Sequence, residues 1–341
     1  MENEKIDDLF DMKKMEKTIK KAKRMSSWKS VIITVIVLII LIIVSTIANR
    51  SFTYRLERPI QISASGFHEI SAPNEFIGKF ERYQGVLGGE NRYTTYKIIE
   101  GKVVYTGDES YGYGLFRDEN LNRVGTETPL LMGDSFSEKD LQKQRYNELG
   151  QREMVFFYPF IQYSNYRNDI NLLDNIGQEK VMEVALSFDK GYSFNEVKKM
   201  IPEDVTLSWL WVDDVNEENV EDFHLTIRDE NNKKVDTDNL VRSEHTVYGV
   251  SLFNANGDIQ EEPVHHFIIN IENGKHYKAR WQGEYNRLFT TLGGEDEKLT
   301  EDDLQYYGVV VTGNPENLAQ LKNSPFIKAS SIGVITDRAI R

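Results

Sequence analysis

The longest uncharged stretch of the chain contains residues Val31 to Ala48, which read VIITVIVLIILIIVSTIA. In a helix these 18 residues span about 27 Å, close to the thickness of the hydrocarbon core of a bilayer. Apolar helices buried in soluble proteins are usually shorter and keep a polar face, which this stretch lacks. The pattern therefore predicts a transmembrane helix over residues 31–48.

Charge is distributed unequally on the two sides of this stretch. Residues 1–30 carry 9 basic and 6 acidic side chains, a net charge of +3, whereas the rest carries 32 basic and 48 acidic, a net of −16. Flanks of a transmembrane helix that are rich in lysine and arginine stay in the cytoplasm. We therefore expect a protein of the cell membrane, with residues 1–30 in the cytoplasm and the large part from residue 51 onward outside it. A cleaved signal peptide is the alternative, but the run is longer than a usual signal-peptide core and no Ala-x-Ala site follows.

The predicted cytoplasmic tail, residues 1–30, has the periodicity of an amphipathic helix. Apolar residues recur at spacings of three and four, with Phe10 at the edge of the stripe formed by Leu9, Met12, Met15 and Ile19. Thirty residues cannot bury a core alone, so this stripe needs a partner. Three interpretations stay open: a groove on a cytoplasmic protein, the membrane surface, or a tail with accidental periodicity. The first predicts that these five residues bind the partner.

Beyond the anchor we expect a β-rich region over residues 51–150 and an α+β domain over residues 151–341. The elements predicted in the first region are turns and short apolar runs over 51–92, a hairpin turning at Glu100 and Gly101, a loop over Asp108–Gly114, and a helix over Ser137–Leu149.

The second region shows a strand–helix–strand pattern twice. Val181–Phe188 and Leu207–Val212 flank a helix capped at Ser193, and Tyr307–Thr312 and Ser330–Ile335 flank a helix capped at Asn314. This pattern predicts two β-α-β units in a mixed β-sheet. Further predicted elements are a strand over 154–161, hairpin-like strands over 224–227, 247–253 and 266–271, and a helix over 277–289.

Composition narrows the chemistry of the 341-residue chain. It has no cysteine, which excludes disulfides, cysteine-ligated zinc and thiol nucleophiles, and its net charge of −13 argues against direct nucleic-acid binding. No nucleophile elbow, Walker loop or zinc-protease motif is present. The spacing of the six histidines indicates no metal site. We expect Asp213 and Asp214 to lie in a solvated turn. We expect Trp209 and Trp211 to pack in the core. We therefore predict that the protein is not an enzyme and that it binds no cofactor and no metal ion.

Several strings resemble a known family, the membrane-anchored sigma factor regulators of Gram-positive bacteria. The strings similar to its C-terminal domain are EVALSFDKGYSFNEVKKMIP (Glu183–Pro202), LSWLWVDD (Leu207–Asp214) and YYGVVVTGNPENLAQLKNSPFIKASSIGVI (Tyr306–Ile335). The lysine-rich flank, the anchor and PNEFIGKFERYQGVLGGENRYTTYKIIEGK (Pro73–Lys102) are similar to its N-terminal domain.

The resemblance implies an anti-sigma factor, which holds an extracytoplasmic-function sigma factor at the membrane and releases it under envelope stress. It brings no catalytic residues. Many anti-sigma factors carry a cytoplasmic domain of several helices, so a second membrane protein that shares the task is a further expected partner. Two other functions stay open: an anchored cell-surface ligand-binding module without cytoplasmic signalling, and an envelope enzyme, for which the sequence nominates no acid–base pair.

Overall fold

The computed structural model of the protein describes residues 12–115, 121–124, 135–137, 146–215, 224–228, 234–293 and 298–339. The chain divides into two compact units, Met1–Arg55 and Leu56–Arg341. The predicted division of the outer part at residue 150 stays a prediction.

The described part of the first unit, residues 12–55, is helical. Helix α1 covers Met12–Ser71, so it begins in the first unit and ends in the second. Its segment 31–48 has exposed side chains throughout and is long and apolar enough to cross a membrane. The prediction of a helix at this position is confirmed.

The second unit begins with the last turns of α1, where the sequence predicted turns and short apolar runs. That prediction is wrong for residues 56–71. Pro59 lies inside the helix, although it lacks the N–H that would donate to an earlier carbonyl. Burial of Ile60, Ala64 and Ile70 in the core of the second unit stabilises the helix and outweighs this loss.

An antiparallel meander follows in the order β1-β2-β3-β4. Glu100 and Gly101 both have positive φ, as expected for the two-residue turn between β2 and β3, and the predicted hairpin is confirmed. The loop predicted over Asp108–Gly114 is wrong, because β3 pairs with β2 as far as Gly114. The strands are β1 Glu75–Gln84, β2 Gly88–Ile99, β3 Lys102–Gly114 and β4 Leu121–Val124.

The two predicted strand–helix–strand units interleave in a five-stranded sheet of order β11-β8-β12-β7-β13. All its strand pairs are antiparallel, so the predicted mixed sheet is wrong. Strand β12 lies between β7 and β8, and β7 lies between β12 and β13, which is the split β-α-β arrangement of ferredoxin-like folds. The elements are β7 Lys180–Tyr192, α2 Phe194–Met200, β8 Thr206–Val212, β11 Gly249–Ser251, β12 Tyr306–Gly313, α5 Pro315–Ala319 and β13 Ile327–Asp337.

A smaller sheet has the order β5-β10-β6, with β9 also paired to β10. Helices α3 and α4 follow β11 in the chain. The bounds are β5 Ser135–Ser137, β6 Val155–Phe156, β9 His224–Arg228, β10 Lys234–Ser243, α3 Pro263–His276 and α4 Gln282–Leu292, with a 3-10 helix at Asp169–Asn175.

Three sequence predictions fail in this part of the chain. The strand expected over 154–161 is reduced to β6, and the strand expected over 266–271 is helix α3. The helix expected over 137–149 does not fit its ends, because Ser137 closes β5 and Tyr146–Leu149 form a bridge and a turn. Residues 138–145 lie outside the described residues.

Both faces of the five-stranded sheet are buried. Met182, Val184 and Leu186 project into a large core that also contains α3 and α4, whereas Trp209 and Trp211 lie in a second core with Phe156 and Tyr307. The two tryptophans are fully buried, which confirms their predicted packing role.

Candidate functional site

The predicted partner-binding stripe lies at the start of the described chain. Met12, Met15 and Ile19 are 81%, 49% and 56% exposed, and their spacing in α1 puts them on one face. Leu9 and Phe10 lie outside the described residues. Partner binding by this stripe stays a prediction.

The other sides of this helical segment are polar. The Thr18 hydroxyl donates to the Lys14 carbonyl at 2.9 Å, and the Lys20 ammonium lies 2.8 Å from the Glu16 carboxylate. Such exposed pairs add only a few tenths of a kcal/mol to helix stability. The segment therefore combines an unburied apolar stripe with solvated polar sides.

A buried cluster of charges lies in the second unit, where the sequence predicted no site. The Lys97 ammonium donates to Glu183 Oε1 at 2.7 Å and to Glu244 Oε2 at 3.0 Å. The side chains of Lys97 and Glu183 are 3% and 0% exposed. Asn74 Nδ2 donates to the second oxygen of Glu183 at 3.2 Å, and the Val334 N–H donates to Oε1 at 3.1 Å.

Burial and pairing act in opposite directions on these charges. Burial alone lowers the pKa of Lys97, but Glu183 and Glu244 outweigh it and raise that pKa well above its ordinary value. Burial raises the pKa of Glu183, and Lys97 and the Val334 N–H oppose this shift. The ammonium is thus held charged. Removal of Lys97 would leave the carboxylates of Glu183 and Glu244 without their buried cation.

The alternation of β2 is the sequence signal that points to Lys97. Every second residue of β2 is buried, and Lys97 lies on this inward face together with Tyr93, Thr95 and Ile99. Glu183 lies on the face of β7 opposite Met182 and Val184, which is also buried. These two positions are far apart in sequence, and only the fold shows that they are partners.

A second buried polar network surrounds Asp214. This residue is 1% exposed, so the predicted solvated turn is wrong. Arg287 donates from Nη1 to the Asp214 carbonyl at 2.7 Å and lies 3.5 Å from its carboxylate through Nη2. Burial raises the pKa of Asp214, while Arg242 and Arg287 lower it in part. The contact anchors the end of β8 to helix α4.

Comparison with protein families identifies two regions of the chain. Residues 16–104 match the family described as "Sigma factor regulator N-terminal", and residues 173–334 match that described as "Sigma factor regulator C-terminal". Together the two matches cover more than half of the chain. No curated protein and no solved structure matches it significantly. Within these bounds, Lys97 belongs to the N-terminal match and Glu183 and Glu244 to the C-terminal match, so the buried ion pairs join the two matched regions.

Proposed function

The chain belongs to the family of sigma factor regulators, and on that basis we propose that it is a membrane-anchored anti-sigma factor for an extracytoplasmic-function sigma factor. An anti-sigma role follows from the family. The sigma factor class, the binding surface and the mode of release are our proposals. The single observation that carries them is the match of both regulator regions on one chain with a helix that can span a membrane.

The proposed orientation has the N-terminus in the cytoplasm. Residues 1–30, before the apolar segment, carry nine lysines and arginines, and such a basic flank favours retention of that side of the helix in the cytoplasm. Trp28 precedes the segment and is 61% exposed, as expected of an aromatic residue at the level of the lipid headgroups. The acidic second unit is then extracytoplasmic.

The proposed contact with the sigma factor uses the stripe Leu9, Phe10, Met12, Met15 and Ile19. Three of these residues are exposed in α1, and methionine at two of them suits an adaptable protein contact. Burial of such side chains contributes roughly 1.5–3 kcal/mol each, before the cost of ordering the segment. A short helix can therefore hold a partner, with or without a second membrane protein.

The second unit is the proposed sensor. A signal outside the cell, whether a ligand or a proteolytic cut, would end the hold of the tail on the sigma factor. The alternative, an anchored ligand-binding module without cytoplasmic output, predicts no change in sigma-dependent transcription when the tail is altered.

The test is a reporter transcribed from promoters of the partner sigma factor, in cells that carry the full chain. Simultaneous Met12→Gln, Met15→Gln and Ile19→Gln should raise reporter activity toward that of cells lacking the protein. The control carries Lys14→Gln, Thr18→Gln and Lys21→Gln on other sides of the same helix and should keep repression. Membrane levels of each variant are compared by immunoblot.

Full repression by the stripe variant at normal membrane levels would remove the proposed contact. If deletion of the whole gene changes no sigma-dependent transcript, the anti-sigma function itself is wrong, and the ligand-binding module becomes the better interpretation.

A further inference from the structure

His68 lies between two glutamates in the second unit, where three elements meet. Its Nε2 is 3.8 Å from Glu75 Oε1, and its Nδ1 is 3.8 Å from Glu109 Oε2. The side chains of His68 and Glu109 are 4% and 1% exposed, and that of Glu75 is 11% exposed. One nitrogen or oxygen from each residue can be chosen so that all three atoms lie within 4.8 Å of one another.

The local fold explains why these residues meet. His68 is in the last turn of α1, and its carbonyl accepts from the Ala72 N–H at 3.0 Å. Asn74 then takes a left-handed conformation, φ 55°, which asparagine tolerates better than most residues. This turn brings Glu75, the first residue of β1, back beside the helix end. Glu109 comes from β3.

The separations are too long for hydrogen bonds and suit a bound cation. A hydrogen bond between a ring nitrogen and a carboxylate needs about 2.7–3.2 Å. Two ligands of a tetrahedral zinc, each about 2.0–2.2 Å from the metal, are separated by roughly 3.4 Å. A single ion binds only one nitrogen of the imidazole, so the three chosen ligand atoms, which lie within 4.8 Å of one another, would have to approach by up to about 1.4 Å.

The imidazole supplies an independent observation. His68 Nε2 is buried and has no hydrogen-bond partner among the described residues, which is a costly state for a polar atom. A cleft of about 260 Å³, lined in part by His68, Glu75 and Gln260, leads to it. An ion from solvent thus has a path to an unsatisfied ligand atom.

The groups around the site include one ammonium and one hydroxyl donor. Glu75 lies opposite Lys97 across the β1–β2 pair. The Lys97 ammonium is bound by the Glu183 and Glu244 carboxylates, at 2.7 and 3.0 Å. The Tyr93 hydroxyl donates to Glu109 Oε2 and orients this carboxylate, as outer-shell partners do in metal sites.

We propose that His68, Glu75 and Glu109 form a binding site for a divalent transition-metal ion of the zinc class. One imidazole nitrogen and two carboxylates are ligands that zinc accepts, and three protein ligands leave a coordination position for water. The ion would tie the end of α1 to β1 and β3. This proposal concerns the second unit alone and does not rest on the proposed function.

The experiment uses the full chain in detergent micelles after removal of metals with a chelator. Co²⁺ is the probe, because its visible absorption reports ligand geometry, and Zn²⁺ is then added as competitor. We expect saturable binding of one Co²⁺ per chain, displacement by Zn²⁺ but not by equal Mg²⁺, and a rise in the thermal midpoint with Zn²⁺.

Variants identify the ligands. His68→Gln, Glu75→Gln and Glu109→Gln should each weaken binding on the order of 10–100-fold or more, and Tyr93→Phe should weaken it by about tenfold. The matched control is His245→Gln, because His245 also faces one glutamate, Glu153, at 3.9 Å but lies outside the cluster. That variant should bind like the parent.

Two results would overturn the proposal: absence of a one-to-one Co²⁺ signal from the parent chain, or a signal that survives in Glu75→Gln and falls in His245→Gln. Circular dichroism of each variant identifies loss of fold. If His68→Gln does not fold, Glu75→Gln decides, since its side chain is the most exposed of the three and its loss disturbs the core least.

Discussion

Helix segment 31–48 and the strand pair β8–β12 are both rich in large apolar residues, mainly isoleucine and valine in the first and valine and aromatic residues in the second, but their surroundings are opposite. In the first, the large side chains are roughly half exposed, whereas Leu210, Val310 and Trp211 are fully buried. The second region gains its stability from contacts within its own unit. The first leaves its apolar surface to whatever surrounds it, and a bilayer is the solvent that suits such a surface. Large apolar side chains thus form an exposed surface in one place and a core in the other.

The largest expected effect concerns the exposed helix. Leu38→Arg with Leu41→Arg should prevent membrane insertion, because each arginine near the centre of a transmembrane helix costs about 2.5–3.5 kcal/mol. Carbonate extraction of membranes should release the variant and retain the parent.

The control places the same charges outside the apolar segment. Ser26→Arg with Ser27→Arg should leave the chain in the membrane, since basic residues on that flank agree with the proposed orientation. If the core variant also stays in the membrane, the segment is not a transmembrane helix, and the contrast between the two regions disappears.

The next effect concerns the self-contained second unit. Lys97→Met should destabilise it by about 3–5 kcal/mol, because Glu183 and Glu244 would lose their buried cation. Denaturant unfolding of the full chain in detergent measures the change. Lys79→Met is the control, since Lys79 is 73% exposed, and solvent screens the exposed pair that it forms with Glu81. Equal losses in the two variants would contradict a special role of the buried cluster.

A pH profile sharpens the same point. Burial raises the pKa of Asp214 in the folded chain above its ordinary value near 3.8. The folded state therefore holds a proton that the unfolded state has already released, and stability falls as the pH rises from about 4 through the raised pKa. Each tenfold difference in proton affinity between the folded and unfolded states corresponds to about 1.4 kcal/mol.

Asp214→Asn should flatten this part of the profile, measured by unfolding between pH 4 and 8. Asp258→Asn, at an exposed turn, should keep the slope of the parent. Parallel profiles for the parent and Asp214→Asn would mean that Asp214 is not desolvated.

The smallest effect tests local structure in the second unit. The Glu196 carboxylate accepts from the Ser193 N–H and hydroxyl at 2.8 and 2.7 Å at the start of α2. Ser193→Ala should cost about 0.5–2 kcal/mol, measured by the same unfolding assay. A cost near zero at Ser193 would mean that packing of Val197 alone fixes the helix.

The sequence predicts those structural features that depend on neighbouring residues alone. The turn at Glu100 and Gly101, the cap at Asn314 and the apolar helix segment 31–48 depend on residues close in the chain. Helix α3 was also readable, because Val264, Phe267, Ile268 and Ile271 follow a helical spacing after Pro263, but the apolar run was interpreted as a strand.

Features that join distant parts of the chain could not be predicted from the sequence. The interleaving of β12 between β7 and β8 depends on pairing across about a hundred residues, and no local pattern specifies it. The candidate metal site likewise joins His68, Glu75 and Glu109 through the turn at Asn74 and the register of β3. The sequence predicted turns and short apolar runs where α1 continues through Pro59, and burial in the second unit outweighs those local signals.

The place of β12 in the sheet has a consequence for biosynthesis. This strand separates β7 from β8, yet it is made after both, as is β13 on the far side of β7. In a nascent chain that has emerged only as far as α4, β8 can pair with β11, but the strand that joins β7 to β8 has not yet been made. Because the sheet is complete only when the last strands arrive, we expect folding of the second unit to follow synthesis of these strands, which makes the incomplete chain a natural substrate for chaperones and proteases.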